Sequence, residues 1–128
     1  MILVDTSVWI DHLKSSEPRL VEHLEGGQVV SHPMVVGELA LGSIRNRAAF
    51  LHLLSSLPET RLATHDEVLG LIEDRTLHGS GLSLVDAHLL AAALLTPDTV
   101  LWTRDKGLHR AAAGLGCAWS VSAPKRRR

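Results

Sequence analysis

Hydrophobic and polar positions alternate along the chain in blocks that switch between two periods. Met1 to Val4 is a short apolar run ending at Asp5, which reads as a fully buried first strand. Helical spacing follows over Thr6 to Leu13, with Val8, Trp9 and Leu13 available for one face. Pro18 opens a second helix, whose Leu20, Val21 and Leu24 form a stripe, and Gly26-Gly27 ends it. Gln28 to Ser31 reads as a second strand. Pro33 starts a helix through about Gly42, and Asn46 to Leu54 forms another. Leu62-Ala63 is expected to be a short third strand. Thr64 and Glu67 make a capping box ahead of Val68, Leu69, Leu71 and Ile72. Gly79-Ser80-Gly81 breaks the chain, and Ser83 caps an apolar helix to about Leu95. Thr99 to Thr103 reads as a strand, Asp105 to Leu115 as a helix, and Cys117 to Val121 as a last strand.

Strands alternating with helices predict an α/β fold with a mainly parallel sheet. The 128 residues fit one domain, and no linker or repeat divides them. Apolar residues make up 45% of the chain and aromatic ones only 3%, so Leu, Val and Ala fill the core. Cys117 is the single cysteine, which excludes an intrachain disulfide. No secretory leader is visible, because Asp5, Thr6 and Ser7 interrupt the N-terminal apolar run. No run is long enough to span a bilayer, so a cytoplasmic protein with no membrane partner is expected.

The formal charge of −1 does not announce a polyanion binder. Arg45 and Arg47 form one basic spot, and Lys125 to Arg128 form a basic tail, expected to be disordered over 124–128. Residues 1–123 are expected to be the folded domain.

Sites in open α/β sheets gather beyond the carboxyl ends of the strands. Asp5 ends the first strand, Thr103 and Asp105 follow the 99–103 strand, and Asp86 lies in the first turn of its helix. Each of these acids has a plain structural alternative. Asp5 and Asp105 can cap the helices that follow them, and Ser83 with Asp86 matches a capping box. Glu38 lacks that explanation. It lies mid-helix beside Met34, Val35 and Leu41, and Asp86 shares its face with Leu82, Leu89 and Leu90. Both are expected on core-facing stripes, where an unpaired carboxylate is costly. Arg104 or Lys106 is one candidate partner. A divalent cation fits better, and oxygen donors without thiolates or paired imidazoles favour Mg²⁺ or Mn²⁺ over zinc.

The motifs that carry these acids resemble the PIN-domain family, and especially VapC toxins of bacterial toxin–antitoxin pairs. Ile2-Leu3-Val4-Asp5-Thr6-Ser7-Val8-Trp9-Ile10 is similar to the family's first motif. Val36-Gly37-Glu38-Leu39 resembles the second, Leu82-Ser83-Leu84-Val85-Asp86-Ala87 the third, and Leu101-Trp102-Thr103-Arg104-Asp105-Lys106-Gly107-Leu108 the fourth. They occur in family order across nearly the whole chain. Many relatives carry a further acid where this chain has Gly107, so no fifth ligand is expected there.

The resemblance implies a three-layer α/β/α fold with four to five short strands. It also implies Mg²⁺- or Mn²⁺-dependent endoribonuclease activity on RNA, tRNA among the candidates, with inhibited translation as the result. Dimerisation and a VapB-type antitoxin partner are implied as well. Its four acidic positions carry over onto Asp5, Glu38, Asp86 and Asp105, and its hydroxyl position onto Thr103. Asp5, Glu38 and Asp86 are expected to hold one ion, and Asp105 to position a second ion or the attacking water. Thr6 and Ser7 are either hydroxyl donors to the ligands or helix caps. A non-catalytic binding module is the alternative. A dehalogenase-like phosphatase is disfavoured by Ser7 at its second acid position, and a receiver domain by the lack of Asp between Asp11 and Asp66.

Overall fold

The computed structural model describes residues 1–121; the expected basic tail at 124–128 lies outside them. Three strands form one parallel sheet: β1 (Ile2–Val4), β2 (Val29–Val30) and β3 (Val100–Trp102), in the order β2-β1-β3. Ile2 pairs with Val29 and with Val100, which sets the register on both sides of β1. Ile2, Leu3 and Val4 are all buried. Successive strand residues point to opposite faces, so burial of all three requires cover on both. Among the described residues seven helices provide that cover: α1 (Thr6–Lys14), α2 (Pro18–Glu25), α3 (Pro33–Ala40), α4 (Arg47–Ser56), α5 (His65–Asp74), α6 (Leu84–Leu95) and α7 (Lys106–Gly114). The arrangement is the expected three-layer α/β/α type.

The outer strands are reduced to single bridges. Leu62-Ala63 does not form a strand; pairing occurs earlier, where Glu59 bridges Ser31 in parallel. The expected strand at Cys117 to Val121 is likewise one bridge, Leu101 to Ala118. Leu62 is 52% exposed, so this apolar pair lacks the neighbouring sheet that would bury it. With the two bridges counted as rows, the sheet is five rows wide.

Local signals elsewhere act as read. Both capping boxes form: the Thr64 hydroxyl accepts from Glu67 N while Glu67 Oε1 accepts from Thr64 N, and Ser83 and Asp86 do the same. α6 buries seven consecutive residues, Ala87 to Ala93, which makes it the central helix of the domain. Trp9 is buried edge-on to Phe50, and Trp102 stacks on Trp119 with ring centroids 3.8 Å apart. The three tryptophans therefore belong to packing. A buried Leu contributes roughly 1.5–3 kcal/mol over an exposed one, and Leu3, Leu20, Leu54, Leu89, Leu90, Leu101 and Leu108 are all enclosed.

One topological feature positions the chemistry. The chain leaves β1 toward β2, but leaves β3 toward the outer row at Ala118. In parallel α/β sheets a crevice opens where neighbouring connections diverge. Here that point lies beyond the carboxyl ends of β1 and β3, where Asp5 and Thr103 stand.

Candidate active site

Asp5 follows β1 and is only 8% exposed. It occupies the N-cap position of α1 yet makes no side-chain cap hydrogen bond. Its Oδ2 instead accepts from Thr103 Oγ1 at 2.7 Å and from Ser7 Oγ at 2.8 Å. Capping therefore does not explain Asp5, and neither Thr6 nor Ser7 caps α1. The two hydroxyls are held in turn by backbone: Arg104 N donates to Ser7 Oγ and Asp105 N to Thr103 Oγ1, each at 3.0 Å. This satisfies the buried polar groups and fixes the plane of the carboxylate.

Glu38 corrects one expectation. It is exposed, because α3 buries only the line of Val35 and Leu39. Met34, Glu38 and Leu41 run along the flank of that line, and Leu41 is 90% exposed. In a helix apolar on nearly every position, periodicity alone does not select the inward face. Glu38 still has no capping role. Thr6 Oγ1 donates to its Oε1 at 2.7 Å, tying α3 to the first turn of α1.

Asp86 is half-buried, and its Oδ2 is used by the capping box with Ser83. Asp105 is exposed and caps α7, its Oδ1 accepting from Leu108 N at 2.9 Å. The structural alternatives for these two acids are therefore real. They are also incomplete, since each occupies a single oxygen.

Asp5, Glu38 and Asp105 are linked through the Thr6, Ser7 and Thr103 hydroxyls and the turn after β3. Asp86 stands outside that network, bonded among the described residues only within its own cap. Among the described residues no three carboxylate, imidazole or thiol groups converge closely enough to hold an ion. The donor chemistry nonetheless fits a hard cation. Each of the four carboxylates commits one oxygen to protein donors and leaves the other unbonded among the described residues. Among the described residues no ion pair neutralises any of them. An all-oxygen set with no lysine or arginine partner suits Mg²⁺ or Mn²⁺.

Arg104 is not the compensating cation for this cluster. Its guanidinium pairs with Asp11 at 3.1 Å and with Glu17 at 2.6 Å, over the buried face of Trp102. Its hydrogen bond, followed by the Arg19 backbone N–H, holds the Glu17 carboxyl below the usual range. This clamp joins the β3–α7 turn to α1 and the start of α2. Sequence reading missed it, because Asp11 and Glu17 are distant in the chain; an arginine next to the Thr103 and Asp105 positions was the sole hint.

His32 was missed as well. It caps α3, its Nδ1 accepting from Met34 N at 3.0 Å, and so fixes the start of the helix that carries Glu38. Burial, with the charge of nearby His88 adding to it, pushes its pKa down to about 4. The imidazole is therefore neutral near pH 7, protonated on Nε2 by inference from the bond at Nδ1.

Comparison with known proteins agrees with the motif order. The PIN domain family model matches residues 2–114. Two curated proteins named Ribonuclease VapC32, from Mycobacterium tuberculosis strains CDC 1551 / Oshkosh and ATCC 25618 / H37Rv, are each 52% identical over 118 residues. The matched segment covers 92% of this chain and 95% of each relative.

Proposed function

The chain belongs to the PIN-domain family, in its VapC branch, and from that premise we propose that it is a divalent-metal-dependent endoribonuclease. In this reading it is the toxin of a type II toxin–antitoxin pair. It acts in the cytoplasm, as a homodimer that a VapB-type antitoxin restrains, and cuts RNA, tRNA being one candidate, so that translation stops. Residues 1–123 form the catalytic domain. The observation that carries the proposal is the buried Asp5 carboxylate, oriented by Ser7 and Thr103 rather than spent on capping.

Asp5, Glu38, Asp86 and Asp105 would hold Mg²⁺, or Mn²⁺ in its place, with Asp105 assigned to a second ion or to the water. When bound, the ion supplies Lewis-acid activation of water and neutralises charge on the phosphoryl oxygens. The protein's part is orientation. Ser7 and Thr103 both donate to one oxygen of Asp5, so its other oxygen is the one presented for binding. Thr6 does the same for Glu38. Hydroxyl donors behind metal-binding carboxylates typically change metal affinity by about 10–100-fold. Asp105 N, bound to Thr103, couples the fourth acid's backbone to the same network.

The test is cleavage of purified RNA in Mn²⁺ and in EDTA, with the product ends sequenced. The intact chain is expected to cut in Mn²⁺ alone, and Asp5→Ala and Asp86→Asn to be inactive. Normal cleavage by Asp86→Asn, with nuclease carry-over excluded, overturns the assignment.

A further inference from the structure

Glu38 opens onto a cleft whose other walls lie outside the four-acid set. Its volume is about 480 Å³, and its walls are Ile10, Leu13 and Lys14 of α1, Glu38 and Leu39 of α3, and the 42–46 loop with Ile44 and Arg45. Thr6, Ile10 and Lys14 are spaced four apart, so they lie on one face of α1. That face begins at the Thr6–Glu38 hydrogen bond and runs about 12 Å to Lys14. The cleft is therefore continuous with the carboxylate site at one end.

Its surface has two chemical characters. Ile10 and Leu13, each 41% exposed, and the half-buried Ile44 form an aliphatic wall. Lys14 and Arg45 are exposed, and neither has an ion-pair or hydrogen-bond partner for its side chain among the described residues. Other cations in this region are already engaged. Arg104 is held by Asp11 and Glu17, and Arg47 by the Ala40 carbonyl at the end of α3. The Arg47 contact also pins the loop that carries Arg45 against α3.

We propose that this cleft is an RNA subsite, which takes the nucleotides flanking the scissile phosphate. Lys14 and Arg45 contact backbone phosphates, and Ile10, Leu13 and Ile44 pack against a base. The inference rests on the ribonuclease reading and adds to it the path of the substrate. Charge decides between RNA and a peptide as occupant. The free side-chain charges of the cleft are two cations, and its one acid, Glu38, belongs to the metal set. A phosphodiester chain supplies anions at each step and apolar base faces between them.

The experiment uses the non-cleaving Asp86→Asn chain and a fluorescein-labelled single-stranded RNA of mixed sequence, with anisotropy measured in Mn²⁺ across a salt series. Adding Lys14→Ala and Arg45→Ala is expected to weaken binding about tenfold or more, and to flatten the slope of log affinity against log salt by about 1.4. Arg61→Ala with Arg75→Ala removes the same charge from exposed positions outside the cleft, and is expected to change affinity less than about twofold. In the cleaving chain the Lys14 and Arg45 pair is expected to raise KM with kcat retained. Unchanged affinity and slope in the Lys14 and Arg45 variant, at an unchanged melting temperature, overturn the subsite, as does an equal loss in the Arg61 and Arg75 control. If the intact chain still cuts RNA in either case, the ribonuclease reading stands without the subsite. A chain that neither binds nor cuts RNA removes both.

Discussion

Thr103 Oγ1 donates to Asp5 Oδ2 at 2.7 Å across 98 positions of sequence, and both residues are buried at the carboxyl edge of the sheet. The same oxygen of Thr103 accepts from Asp105 N. One hydroxyl thus joins the first and fourth acidic motifs.

Removing that hydroxyl is expected to be costly out of proportion to its size. Thr103→Val keeps the side-chain shape but leaves Asp105 N without its acceptor and Asp5 with Ser7 alone. A buried group left unpaired costs about 1–3 kcal/mol. Urea unfolding should show a loss in that range, and Mn²⁺ titration a roughly 10–100-fold weaker affinity. Unaltered Mn²⁺ affinity would separate Thr103 from the metal site.

Asp86 has two roles that different substitutions distinguish. Asn keeps a side-chain oxygen for Ser83 N, so Asp86→Asn should retain the α6 cap and the metal-free stability. Ala removes the Asp86 half of the capping box, leaving Ser83 Oγ to accept from the backbone N–H of residue 86, and the lost hydrogen bond should cost about 1 kcal/mol. Mg²⁺ at one hundred times its Kd should stabilise the intact chain by about 2.7 kcal/mol, and much less in either variant. Melting curves with and without metal test all three statements.

The Arg104 clamp should matter modestly for stability and respond to salt. Its partners are exposed or half-buried, and such pairs contribute about 0.2–1 kcal/mol. Arg104→Ala should lower the melting temperature by a few degrees at low salt and by less in 1 M NaCl. The pH effect has a definite sign. Glu17 is held below its ordinary value, so its stabilisation is present above that value and is lost as pH falls through the folded-state value. Arg104→Ala should therefore weaken this acid-side loss.

His32 predicts a second pH dependence. Its pKa is about 4 in the fold against 6.5 ordinarily, so the unfolded chain binds the extra proton between those values. Stability should rise with pH from about 4 to 6.5, by on the order of 2–3 kcal/mol. His32→Asn keeps a capping acceptor for Met34 N and does not titrate. Its unfolding free energy should be flatter across that window; an identical profile would remove His32 as the source.

Much of the local structure was legible because its causes are local. Thr64 with Glu67 and Ser83 with Asp86 lie three residues apart, and both boxes form where the spacing puts them. Pro18 and Pro33 open α2 and α3 as expected. The edges of the sheet were not legible. Glu59, a polar residue, forms the bridge that the apolar Leu62-Ala63 was expected to form, because Ser31 is available to it in space. The orientation of Glu38 failed for a related reason. Met34, Val35, Val36, Leu39, Ala40 and Leu41 are all apolar, so hydrophobicity does not distinguish the faces of α3.

By itself, the sequence determined the α/β alternation, the positions of the helix starts, the four acids in order and the family to which they belong. Those depend on short-range spacing and on residue identity. Tertiary structure decided that Asp5 is not a cap, which face Glu38 takes, and that Arg104 serves Asp11 and Glu17. It also decided that Thr103 stands against Asp5. Asp5 with Thr103, and Arg104 with Asp11 and Glu17, are brought together across more than 80 positions by parallel pairing of β1 with β3, while Glu38 is placed by α3 against the first turn of α1; such contacts leave no periodic trace along the chain.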